Sequence, residues 1–161
     1  MSFFPIVTMV EECLGWLNTA DLDTIADPLR YDALQFLRSR LGRRCYLVRV
    51  PDRAIEPTLT LTTTARRAEV GINGAFDIRE DVIDFHVQTQ LADGHREVLA
   101  LQNALFYTLV GYVGTIGTIE VLNIAPETEQ INADAPRDGS TTWDHASIAS
   151  YVFQYRDPAR Q

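Results

Sequence analysis

The side chains most able to do chemistry are scattered along this sequence of 161 residues. Its histidines are His86, His95 and His145, and its cysteines are Cys13 and Cys45. No pair has the short spacing of a metal-binding motif. We expect each histidine to be solvated, His86 on the wet face of a strand, His95 in a turn and His145 in a loop. The cysteines are expected to be free thiols, and a single disulfide between them stays an open alternative.

Other motifs with catalytic potential are equally weak. The segments GlyIleAsnGly at 71–74 and GlyTyrValGly at 111–114 have the wrong spacing for a phosphate-binding loop, and the sequence contains no lysine. The paired acids Glu11–Glu12 and Glu80–Asp81 are more typical of solvated charge than of acid–base machinery. No serine or cysteine lies in a recognised nucleophile motif. The sequence therefore predicts that the protein is not an enzyme and needs no metal or cofactor.

The charge balance is strongly acidic. Fourteen basic residues, all arginine, stand against 22 acidic residues, which gives a formal net charge of −8. A chain this acidic is repelled by phosphate backbones, so general nucleic-acid binding is not expected. Two interpretations stay open: the charge keeps the protein soluble, or it forms a surface that faces DNA without holding it.

The arginines are concentrated in two places. One group lies at the end of a predicted helix at 38–44, where the helix dipole favours cations. Contact with an acidic partner is the alternative explanation. Arg66–Arg67 is expected to be a second docking point for acidic neighbours. The candidate assembly-interface residues are Arg38, Arg40, Arg43, Arg44, Arg66, Arg67 and Trp143.

Hydrophobic periodicity predicts three helices. Residues 3–17 carry apolar side chains at helical spacing, including Met9, Cys13 and Leu17. A second helix begins after Asp27 at Pro28 and ends at Gly42, residue types typical of those positions. A third follows the turn at 93–94 and ends at Gly111.

Alternation of apolar and polar residues predicts the strands. Their predicted ranges are 45–50, 55–64, 78–90, 115–124 and 147–156. The predicted sheet core is Leu59, Leu61, Ile83, Phe85, Val87, Tyr151, Phe153 and Tyr155. The turn-rich segments 65–77 and 126–144 are expected to be loops that contact neighbouring subunits or a tube.

This order of elements predicts an α+β fold with a mixed, mainly antiparallel sheet packed against helices on one face. We expect residues 1–26 to be an N-terminal helical segment or arm, 27–157 a single α+β domain and 158–161 a tail. The first residues lack the basic region of a signal peptide, and no apolar run is long enough to span a bilayer. An intracellular protein without membrane contact is therefore expected.

The layout resembles a known family. The segments that carry the resemblance are AspProLeu at 27–29, ProThrLeuThrLeu at 57–61, ArgGluAspValIleAspPheHisValGlnThr at 79–89, LeuGlnAsnAlaLeuPhe at 101–106, AspGly at 138–139 with Trp143, and TyrValPheGlnTyrArg at 151–156. In this order they are similar to the tail terminator (tail completion, neck) proteins of tailed bacteriophages, over roughly residues 27–157.

The resemblance implies a structural virion protein. Such subunits close into a ring, typically a hexamer, that caps the tail tube, ends tube growth and forms the tail side of the head–tail junction. The implied partners are further copies of the chain, the tail tube protein and the head–tail connector or adaptor. DNA would pass through without specific binding. Assembly would occur in the host bacterial cytoplasm, and the final location would be the tail or neck of the virion.

Two other functions stay open. One is a different phage neck or baseplate adaptor. The other is a small-ligand or peptide-binding α+β module, which would need a concave apolar pocket with a few converging polar groups.

The resemblance to tail terminator proteins implies no catalytic residues and no cofactor for this sequence.

Overall fold

The computed structural model describes residues 8–48, 50, 57–69, 77–90, 94–134 and 144–158. The helices in these ranges are α1 (Met9–Thr19), α2 (Pro28–Leu41) and α3 (Gly94–Leu109), with a short 3₁₀ turn at Leu22–Thr24. The strands are β1 (Cys45–Leu47), β2 (Thr58–Glu69), β3 (Ile78–Thr89), β4 (Gly114–Ile116), β5 (Ile119–Asp134) and β6 (Asp144–Arg156). None of the helices in these ranges is both long and apolar enough to cross a bilayer.

The described strands form one sheet in the order β1-β2-β3-β6-β5-β4. β1 runs parallel to β2, and all other neighbours are antiparallel. The predicted α+β class with a mixed, mainly antiparallel sheet is therefore confirmed. That the helices share one face stays a prediction.

The predicted sheet core is confirmed. All eight residues named from the alternation are buried, and Phe85 is completely inaccessible. The Phe85 ring meets Tyr151 edge-on at 5.3 Å between ring centroids and stacks with Phe153 at 6.1 Å. Residues at i and i+2 share a face, which is why alternation along β3 and β6 identified this cluster.

The helices complete the core. α3 contacts β3, β5 and β6, whereas α1 contacts β1, β2 and β4. In α1 the residues Met9, Cys13, Trp16 and Leu17 are buried in the same hydrophobic cluster as the sheet. The apolar stripe of the N-terminal segment is thus covered within the chain.

Two predicted loops are partly wrong. Residues 65–69 continue β2, and residues 126–134 continue β5. Neither part alternates, because β5 from Pro126 to Ala133 is exposed on both faces and Arg66 and Arg67 lie in the exposed part of β2. Asp77 lies outside the strands, whereas Asp144 begins β6. Residues 70–76 and 135–143 of the two predicted loops lie outside the described residues.

The structure also differs from three smaller predictions. β1 ends at Leu47, and the predicted strand at 115–124 is divided by a two-residue turn into β4 and β5. Gly117 has a φ of 59° in that turn, a conformation that glycine adopts at little cost. His95 belongs to α3 and His145 to β6 instead of to a turn and a loop.

Candidate interaction surfaces

The arginines predicted to bind partners are largely engaged within the chain. The Arg38 guanidinium donates to the carbonyl oxygens of Leu17 at 2.8 Å and Trp16 at 3.2 Å, at the end of α1. Burial lowers the pKa of Arg38, because its guanidinium is partly desolvated. Arg38 thus ties α2 to the last turn of α1, a long-range contact that sequence spacing could not indicate.

Arg40, Arg43 and Arg44 lie at the end of α2, as predicted. Arg40 forms a two-pronged ion pair with Glu97 of α3, with N–O distances of 2.9 and 2.6 Å, and this pair raises the pKa of Arg40. Arg44 donates back to the carbonyl oxygens of Leu41 and Arg40. The exposed Arg43 forms no hydrogen bond or ion pair with any other residue that the structure describes.

The four arginines where the end of α2 meets the start of α3 form a surface that we call the basic corner. Its members are Arg40, Arg43, Arg44 and Arg96. Arg96 is exposed beside Glu97 and, like Arg43, makes no hydrogen bond or ion pair within the described ranges. The basic corner therefore contains two arginines, Arg43 and Arg96, that pair with no other described residue, near the Arg40–Glu97 pair that joins the two helix ends.

Arg66 and Arg67 lie at the far end of β2 and pair with β3. Arg66 approaches Asp81 at 3.3 Å, and Arg67 approaches Glu80 at 3.3 Å. Asp81 is only 2% exposed and also accepts from the Tyr155 hydroxyl at 3.0 Å. The expectation that Glu80–Asp81 is merely solvated charge is therefore wrong for Asp81. Trp143, the remaining predicted interface residue, lies outside the described residues.

An acidic groove lies where the side chain of Phe106 on α3 meets β5 and β6. Its volume is about 160 Å³, and it is lined by Phe106, Pro126, Glu127, Thr128, Glu129, Ala149, Ser150 and Tyr151. The pairing of β5 with β6 shifts between Pro126 and Thr128, which leaves Glu127 as a bulge. We call this surface the acidic groove.

The acidic groove combines carboxylates with aromatic surface. Glu129 pairs with Ala149, whose side chain is buried, so Glu129 is directed to the same side of the sheet as the core. Phe106 is 40% exposed and packs edge-on against Tyr107 at 5.6 Å. Burial and then the charge of Glu129 raise the pKa of Tyr151. Among the described residues, neither Glu127 nor Glu129 has an ion-pair partner.

A larger cleft of about 590 Å³ lies between the segment after α1 and the β4 hairpin. Trp16 and Tyr112 contact each other there at 5.1 Å, and Arg30 lies over the Tyr112 ring at 5.3 Å. Arg30 already donates to the carbonyl oxygens of Thr108 and Val110. The Arg30 guanidinium therefore holds the end of α3 against α2.

The histidines and cysteines acquire surroundings that the sequence did not reveal. The rings of His95 and His145 lie 6.4 Å apart between centroids. Within the described ranges, no group of three or more metal-binding side chains occurs. Cys13 and Cys45 are both free thiols. Burial raises the pKa of Cys45 to about 11 and also raises that of Cys13.

Comparison with known proteins supplies a shared fold. No family model and no curated protein matches the chain. A chain from the virion of a native gene transfer agent (GTA) particle matches with a TM-score of 0.58 and 13% identity, over 86% of this chain and 100% of that chain. A second solved structure matches with a TM-score of 0.43 and 18% identity, over 86% and 97% of the two chains. At 13% identity the first match shows a shared fold and nothing about function. The TM-score of the second match is too low to show a shared fold.

Proposed function

We propose that the chain is a structural virion protein whose copies form a six-fold ring on the end of a phage tail tube. The ring would end tube growth and form the tail side of the head–tail junction. The observation that carries the proposal is the fold shared with a virion chain, all of which aligns with this one. The resemblance of the sequence layout to tail terminator proteins points to the same role.

The open edges of the sheet favour assembly. Among the described residues, β2 has no strand on its outer side beyond Leu61, since β1 pairs only with Leu59–Leu61. β5 is similarly open beyond Ile124, whose carbonyl accepts from Gly111. Exposed edges are places where a second chain can add.

The chemistry of the described residues agrees with a structural role. Two buried polar side chains hold the fold together: Gln102 donates to the carbonyl oxygens of Phe85 and Ser147, and Asp81 accepts from Tyr155. These contacts fix α3 against β3 and β6 and tie β3 to β6. We propose that the protein has no catalytic activity and works through surfaces presented to its partners.

The proposed partners are further copies of the chain, the tail tube protein and the head–tail connector. The acidic composition suits a ring through which DNA must pass without being retained. Of the arginines first considered, Arg43 is the one whose charge is uncompensated in the structure, so we favour it for docking.

Mass measurement in solution with the tail tube protein tests the proposed function. The chain has a mass of 18.1 kDa. Native mass spectrometry is expected to detect a complex in which six copies join the tube. The same mixture should contain shorter tubes than tube protein alone, because a capped end stops adding subunits. Tubes of unchanged length without bound chain would contradict the proposal.

A small-ligand or peptide-binding module is the second candidate, and the cleft near Trp16 is the observation that favours it. Its volume lies in the range of ligand sites, although its arginine is already engaged. A ligand in this cleft would change the fluorescence of Trp16. A saturable change without any association with tube protein would favour this second function.

A further inference from the structure

The acidic groove and the basic corner are complementary surfaces on one chain. The acidic groove offers the carboxylates of Glu127 and Glu129 beside an exposed phenylalanine ring. The basic corner offers the unpaired guanidinium groups of Arg43 and Arg96. We propose that the basic corner of one copy docks into the acidic groove of the next. This interface rests on the proposed function, since it would be a contact between neighbours in the ring.

The two surfaces cannot neutralise each other within one copy. Arg96 and Phe106 both lie on α3 and are ten residues apart, which corresponds to about 15 Å along a helix. The Arg40–Glu97 pair holds one end of the antiparallel α2–α3 pair, and Arg30 holds the other through Thr108 and Val110. The charges are therefore fixed at opposite ends of the helical layer, and only a second molecule can bring them together.

The composition of the acidic groove selects an arginine. A guanidinium group can bond a carboxylate through two parallel N–H donors and can also stack on an aromatic face. Phe106, which is 40% exposed, provides aromatic surface next to Glu127 and Glu129, and the buried Tyr151 forms part of the groove lining. A volume of about 160 Å³ is below the usual range for small-molecule sites. It suits the end of a protruding side chain better than a cofactor-sized ligand.

Docking of this kind is head-to-tail. Each copy uses one surface to bind the preceding neighbour and the other to bind the following neighbour. A heterologous contact produces a ring if the rotation closes and a filament if it does not. The inferred interface thus connects single residues to the ring symmetry of the proposed function.

Charge reversal tests the interface in the full chain assembled with tail tube protein. The groove variant is Glu127→Arg/Glu129→Arg, and the corner variant is Arg43→Glu/Arg96→Glu. Each places like charges opposite one another, so each is expected to weaken ring formation on the order of 10–100-fold. The quadruple variant, in which both pairs are reversed, restores the charge match and should recover most of the assembly.

Mixing the two defective variants gives a second, independent readout. Copies of the two variants can alternate, because the intact corner of the groove variant meets the intact groove of the corner variant and the two reversed surfaces match each other in the same way. The mixture should therefore recover ring formation, with equal numbers of both variants in each ring. Either variant alone should stay monomeric. A mixture that behaves like either variant alone would overturn the interface.

The matched control is Glu11→Arg/Asp23→Arg, which changes the net charge by the same amount as the groove variant. Glu11 and Asp23 are exposed on α1 and on the 3₁₀ turn. This control should assemble like the wild type, and all variants should melt close to it because the replaced groups are exposed.

The outcomes separate the interface from the proposed function. If the wild type and all charge-reversed variants form the ring equally well, the interface is wrong and the proposed function stands. If the wild type itself fails to associate with copies or tube, both are wrong. The interface is established if the control forms the ring, the groove and corner variants do not, and the quadruple variant forms it again.

Discussion

Phe85 contacts two other aromatic side chains of the central strands. It is fully buried between Tyr151 and Phe153 and lies in the hydrophobic cluster that α3 covers. Removal of its ring leaves a cavity that neighbouring aromatic residues cannot fill without moving. The central strands therefore depend on this one side chain.

Phe85→Ala is expected to lower the free energy of unfolding by about 3–5 kcal/mol. Urea denaturation provides the measurement. Phe106→Ala is a suitable control, because Phe106 is 40% exposed and its loss should cost much less. A loss below about 1 kcal/mol for Phe85→Ala would mean that its surroundings differ from those described.

The thiols make stability depend on alkaline pH. The pKa of Cys45 is raised to about 11, whereas an unfolded thiol titrates near 8.5. Between these values the native protein retains a proton that the unfolded chain has released. The free energy of unfolding should therefore fall as pH rises through this window, by at most about 1.4 kcal/mol per pH unit for this group.

Denaturation of the wild type and of Cys45→Ala at pH 8 and pH 9.5 measures this effect. The variant should lose less stability between the two conditions. Native thiols should also react slowly with a thiol reagent at pH 8, because little thiolate is present. Rapid reaction of both thiols in the native state would contradict the raised pKa values.

At the scale of elements, Arg38 joins α1 to α2. Its two hydrogen bonds satisfy carbonyl oxygens at the end of α1, where a helix leaves its last acceptors unpaired. The helix-dipole explanation considered from the sequence concerned α2 itself. The structure instead places this guanidinium at the end of another helix.

Arg38→Ala should destabilise the protein by about 1–3 kcal/mol, because two charge-assisted hydrogen bonds are lost. Arg43→Ala is the matched control and should change stability by less than about 0.5 kcal/mol. Denaturant melts combined with amide exchange of α1 would measure both. Equal effects of the two substitutions would show that the contact with Leu17 and Trp16 contributes little.

A strand could be predicted from the sequence where one of its faces is buried and the other is exposed. The strands around Phe85 and Phe153 were predicted because one face is apolar and the other polar. Residues 126–134 were not, because Pro126 usually argues against a strand and the residues after it face solvent on both sides. The acidic groove was also missed, since it depends on a bulge at Glu127 that brings β5 next to Phe106.

At the scale of the whole molecule, the excess negative charge must appear somewhere on an assembled ring. Six copies would carry a formal charge of −48, six times −8. Most of the described arginines are already paired with acids or carbonyl oxygens of the same chain. We therefore expect a channel wall that is acidic or neutral.

Purified protein should not retain duplex DNA at physiological salt, because the chain is strongly acidic and few of the described arginines are free to replace counterions on the phosphates. A gel-shift titration at about 150 mM salt measures this, with a repeat at about 50 mM salt as the sensitive condition. Binding that persists at the higher concentration would contradict the account of the channel. It would also make the basic corner a nucleic-acid contact instead of a protein contact.

The position of the chain in an intact particle tests the proposed function most directly. Virus-like particles purified from cells that produce this chain can be labelled with a gold-conjugated antibody against it and viewed by electron microscopy. The account predicts a label at one place on each particle, where the tail tube meets the head. A label along the tube, at the distal end or on the head shell, or particles without label, would contradict it.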